Sequence, residues 1–167
     1  MMQRTIRTFT IENPQEFKQQ ILFWAQEFDT AILLDSNNYA QQYSSFNFCL
    51  AADDFTSIKT DYHNAFEKLN EYQKTTKDYI FGYISYDVKN DIEKLSSTNF
   101  DGLDFADLYF FQPKRLIFIL ENSVEFQYLR MIDDEIESDF ETICQTEFIK
   151  TSSIETKIKM LYRIVAM

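Results

Sequence analysis

The side chains able to make or break a bond are few in this chain, and they stand apart. His63 is the single histidine. It has no cysteine or second histidine near it, so it reads as a solvated residue on a helix surface and not as a ligand or general base. Cys49 and Cys144 lie far apart and fit no metal or redox spacing. Both read as buried small apolar residues. The acid pairs Asp53–Asp54 and Asp133–Asp134 are of the kind that solvated faces carry. There is no glycine-rich phosphate loop, no G-x-S-x-G and no H-E-x-x-H. Residue types and spacing therefore name no reaction.

The elements must then be read for what they build. The chain has 167 residues, enough for one domain with a core. Its formal net charge of -11 argues against a nucleic-acid partner, whose phosphates call for Lys and Arg, and against an anionic membrane surface. There are 17 Phe and 10 Tyr against one Trp, which predicts ring-rich packing between sheet and helix. The N-terminus has no apolar targeting segment and no run approaches a membrane span, so the expected location is the cytoplasm.

Thr5 to Ile11 alternates as a first strand. Asn13-Pro14 opens a helix, Asn as cap and Pro at the first position, with Phe17, Ile21, Trp24, Ala25 and Phe28 facing the core. "TAILLDS" and "FNFCLAA" read as buried strands. A second helix is expected over Asp61 to Gln73, with Tyr62, Ala65, Phe66, Leu69 and Tyr72 inward. "DYIFGYISY" reads as a strand in which Gly82 permits close backbone approach. "KRLIFILE" and "VEFQYLR" form a hairpin through Glu121-Asn122-Ser123. A third helix follows, with Ile132, Ile136, Phe140 and Ile143 inward and acids at its start. The fold class expected is α+β: a mainly antiparallel sheet packed with about three helices. Residues 150–167 differ, with four basic residues and one acid, and read as the start of something that continues.

The run "FGYISYDVKNDIEKLSSTNFDGLDFADLYFFQPKRLI" resembles a segment of the N-terminal domain shared by anthranilate synthase component I and aminodeoxychorismate synthase component I, also called para-aminobenzoate synthase component I. The family runs G-Y-x-x-Y-D, then E-x-L, then P-D-L-x-F-F-x-P. Here these are Gly82-Tyr83, Tyr86-Asp87, Glu93-Lys94-Leu95 and Asp107 to Pro113, with Ala106 where the family usually has proline. "AILLDSNNYAQQYSSFNFCLAAD" resembles the family's "LLxS" strand end and "YSxF" segment. "DVKNDIEKLSS", and an Asp where anthranilate synthases usually have the Glu of "LLES", are similar to the aminobenzoate branch. The anthranilate branch is the alternative, and a stand-alone tryptophan-binding module another.

The resemblance covers roughly residues 5–149, implies one domain over 1–149, and leaves 150–167 unmatched, the expected start of a missing catalytic domain. It implies half of a two-sheet architecture, inactive alone and truncated, with no catalytic residue of its own. The whole enzyme would aminate chorismate to 4-amino-4-deoxychorismate on the path to para-aminobenzoate and folate. It would use magnesium in the other half and ammonia from a glutamine amidotransferase partner, component II. For this half the resemblance implies part of an L-tryptophan pocket, carried onto Ser36, Tyr43, Ser44, Ser45 and Phe46. Asp35 is expected to meet the ligand's ammonium. The Tyr86 segment is expected near the interface with the other half.

Overall fold

A computed structural model of the chain describes residues 3–37, 39, 46–93 and 105–147. The elements run β1 (Arg4–Thr10), α1 (Pro14–Trp24), β2 (Ala31–Asp35), β3 (Phe48–Thr60), α2 (Ala65–Thr76), β4 (Phe81–Ile84), α3 (Lys89–Glu93), β5 (Leu108–Leu120), β6 (Ser123–Leu129) and α4 (Ile136–Gln145), with short 3-10 turns between some of them. The six strands form one antiparallel sheet in the order β1-β6-β5-β3-β2, with β4 also paired to β5. The fold class is α+β, as expected, with a fourth helix in the short α3.

Local chemistry explains most boundaries. Asn13 accepts a hydrogen bond from the Glu16 N–H with Pro14 in the first turn, so α1 begins where the side chains say it must. Phe17, Ile21 and Trp24 are buried from this helix, and Ala25 from the 3-10 turn that follows it. Ile136 and Ile143 are buried from α4. Both helices cover one face of the sheet, against Phe48, Leu50, Ile117, Ile119, Phe126 and Tyr128. Phe9 stacks on Phe140 at 4.1 Å and meets Phe126 edge-on at 5.5 Å, the ring-rich packing that the composition predicts.

Several elements differ from expectation. β3 does not stop at Ala52 but runs on to Thr60 through a register shift between Asp54 and Thr56. Asp53 adopts φ of 61° there and ion-pairs with Lys114 and Arg115, which is why a strand tolerates two acids. β5 starts at Leu108 and passes through Pro113, opposite Asp54 at the same irregularity, where a missing N–H costs least. α2 starts at Ala65, later than the expected Asp61; Ala65 and Leu69 pack inward, whereas Phe66 is exposed. His63 therefore precedes the helix, exposed and bonded to Asp61. The third expected helix begins as a 3-10 turn over Arg130–Glu135 before α4. Cys144 is exposed on α4, not buried, because α4 turns its Ile136 and Ile143 stripe inward instead.

Cys49 is fully buried in β3, and burial pushes its thiol up to about 12 from 9.0. The unfolded chain releases this proton near pH 9 and the folded chain does not. Stability is therefore unaffected by Cys49 below about pH 9 and falls as pH rises toward 12. Urea melts across this range should show that fall, and Cys49→Ala should flatten it.

Candidate functional site

The "FGYISYDVKND" run forms a junction. Gly82 pairs with Phe110, so β4 lies on the first residues of β5. A β-carbon built at Gly82 would sit 1.9 Å from the Tyr109 carbonyl oxygen and 2.6 Å from the Phe110 Cα. The glycine has no positive φ. It is there for space, because two backbones meet over it. Ser85 continues the junction: its N–H donates to the Asp107 carbonyl at 2.7 Å and its hydroxyl to the Asp107 carboxylate at 2.8 Å.

Asp91 supplies the next link. From α3 its carboxylate accepts from the Asn64 and Ala65 N–H groups at 3.0 and 3.1 Å and so caps α2 from a distance. Asp91→Ala should cost about 1 kcal/mol, read as a lowered urea midpoint with unchanged slope. Tyr86, read from sequence as the last residue of a strand, is instead 81% exposed in a 3-10 turn, with the Lys89 ammonium 3.9 Å from its ring centre.

The sites carried over from the resemblance lie at the end of β2. Ser36 follows that strand; its N–H donates to the Asn47 carbonyl at 2.9 Å, and its own carbonyl accepts from the Tyr39 N–H. The Ser36 hydroxyl is buried and has no hydrogen-bond partner among the described residues. A buried hydroxyl without a partner is costly, so a ligand group able to bond it would gain what the fold leaves unpaid. Phe46 leads into β3, half-buried, with its ring 5.4 Å from Phe118. Tyr43, Ser44 and Ser45 lie outside the described residues.

Asp35 does not fit the ammonium role. The Lys18 ammonium, buried on α1, holds it at 2.9 Å, and the Asn37 N–H donates to the same oxygen. Burial acts to raise the Asp35 pKa, but these hydrogen bonds and the nearby charge outweigh it and hold the group below the usual carboxylate value. Its charge is already answered.

Across the sheet, register sets a transverse row on the face opposite α1 and α4: Leu34, Cys49, Phe118, Glu125 and Thr8. A groove of about 300 Å³ opens on this face between Phe46, Tyr79, Phe118, Leu120, Glu125 and Gln127. Leu34 and Leu120, on the same face, are each nearly half exposed. This groove was not legible in the sequence, because its residues come from the ends of several elements. No family model matches the chain, and no curated protein does.

Among the described residues no three His, Cys, Asp or Glu side chains converge on a point that a metal could fill. No described helix is long and apolar enough to cross a membrane.

Proposed function

We propose that the chain is the non-catalytic N-terminal part of an aminodeoxychorismate synthase component I. In this reading a second part binds chorismate and magnesium and a glutamine amidotransferase supplies ammonia. This part builds one wall of the enzyme and one side of a pocket for an aromatic amino acid. The sequence blocks at 31–53 and 81–113 suggest the family. The structural observation that best supports the reading is the Ser36 hydroxyl, buried and unpartnered at the end of the "LLDS" strand.

The junction adds support. The G-Y-x-x-Y-D and D-L-x-F-F-x-P blocks, about 25 residues apart in sequence, pair strand to strand. The two form one structural unit, which is consistent with this reading.

The pocket is tested by titrating L-tryptophan into the chain and into Ser36→Ala. The proposal expects heat with the first and binding about tenfold weaker with the second, the worth of one hydrogen bond to a buried hydroxyl. No heat with the unsubstituted chain at millimolar ligand removes the pocket. The contact between halves is tested at Tyr86, whose exposed ring is free to meet a partner surface. Tyr86→Ala in the whole enzyme should loosen that contact, and unchanged stability and activity would count against it. Intact mass of the native gene product, captured from the source cell, tests the two-part reading itself. A mass more than twice 20.0 kDa is expected, and one near 20.0 kDa without a separate catalytic partner contradicts it.

A further inference from the structure

The groove on the open face is lined by three rings and one acid. Phe46, Phe118 and Tyr79 form a chain of ring contacts at 5.4 and 6.2 Å. Glu125 stands directly beside them, paired in register with Phe118 on one side and Thr8 on the other. It is half-buried, and its carboxylate accepts a hydrogen bond from the Gln127 amide at 2.6 Å. No cation among the described residues reaches it. The carboxylates of Asp78, Asp53 and Asp139, by contrast, each meet an arginine, and Asp91, Asp107 and Asp133 accept from backbone N–H or hydroxyl groups away from this groove. An acid placed among rings with no counter-ion favours a cationic guest, because a ring face and a carboxylate both attract an ammonium.

We infer that the groove takes an organic ammonium carried on a flat apolar body, with Glu125 as its counter-ion. The rings take the body and the carboxylate takes the charge. The size, near the lower end for small-molecule sites, suits one bicyclic amine. Glu125 thereby fills the role that Asp35 cannot. The inference rests on the reading that this face receives an aromatic amino acid, since Phe46 belongs to both, and it adds the residue that selects for the amine.

Two probes of one shape and opposite charge test it by calorimetry: tryptamine and indole-3-propionate. The chain should prefer tryptamine by about tenfold or more, the strength of a charge-assisted hydrogen bond. Glu125→Gln should weaken tryptamine by a similar factor and should not weaken indole-3-propionate, whose carboxylate no longer meets a like charge. Equal binding of the two probes, no tryptamine heat at millimolar concentration, or a preference that survives Glu125→Gln overturns the inference. L-Tryptophan separates it from the broader reading. If Ser36→Ala weakens L-tryptophan and Glu125→Gln does not, the pocket stands and the role of Glu125 falls. If tryptamine binds through Glu125 but L-tryptophan is indifferent to Ser36→Ala, the amine site stands and the Ser36 pocket falls.

Discussion

Gly82→Ala is expected to be among the most damaging single-methyl additions in the chain. The new carbon would meet the Tyr109 carbonyl at 1.9 Å and the Phe110 ring at 2.7 Å, and the first of these is backbone. A flexible side chain can swing aside, but β4 and β5 can only part. Ordinary overpacking costs about 1–3 kcal/mol; a backbone clash inside a four-residue strand should reach the top of that range or exceed it. The junction residues Ser85 and Asp107 lie next to the clash, so their bonds should be lost with it. A urea melt measures the cost, and hydrogen exchange at Phe81 to Ile84 shows where the damage falls. Adding Phe110→Ala removes the ring but not the carbonyl, so the double variant should stay destabilised. A Gly82→Ala chain as stable as the original would show that the backbones do not meet as described.

Arg4→Ala should do comparable harm by a different route. β6 ends its pairing with β5 at Arg115 and β4 begins at Phe111, so residues 112–114 of β5 have no strand beside them on that side. The Arg4 guanidinium fills the gap. It donates to the Pro113 carbonyl at 2.6 Å, to the Gln127 carbonyl at 2.9 Å and to both oxygens of Asp78. Gln112 donates to Asp78 as well. The Arg4 and Asp78 side chains are 6% and 7% exposed. Burial acts to raise the Asp78 pKa, yet the Arg4 and Gln112 hydrogen bonds prevail and hold it below its ordinary value.

Deleting Arg4 leaves a buried carboxylate and two carbonyls without their donor, a loss of about 3–5 kcal/mol and a melting temperature lower by roughly 10 °C. Arg4→Lys keeps the charge but not the fork, so it should recover only part of this. Asp78→Leu combined with Arg4→Met should be less harmful than Arg4→Ala alone, because no charge is then stranded. The folded-state Asp78 pKa is depressed, so its contribution is present above the unfolded pKa and lost as pH falls through the folded one. Acid melts of Asp78→Asn should show a weaker fall below about pH 4.

What could be read from residues alone follows a physical division. α1 was legible because its cap, its proline and its apolar stripe are all local. The β5–β6 hairpin was legible because two apolar strands flank a short polar turn, and Glu121 adopts φ of 54° there. Gly82 was legible as a close approach. β3 beyond Ala52 was not, because Asp53 is a strand residue only through Lys114 and Arg115, 61 and 62 residues away. Arg4 was silent for the same reason: its partners lie on β5, on β6 and before β4. For the candidate site the sequence offered a resemblance that proposes Ser36 and Phe46, whereas the pairing of Asp35 with Lys18 and the open flank of Glu125 exist only once the strands are in register.

The most direct test of the proposed function is the product formed from chorismate. The native gene product, captured from the source cell with whatever it holds, is incubated with chorismate, magnesium and an ammonium salt, and the products are resolved by mass spectrometry. The expected product is 4-amino-4-deoxychorismate. Anthranilate would place the chain in the alternative branch, and unchanged chorismate would contradict the assignment to this enzyme family.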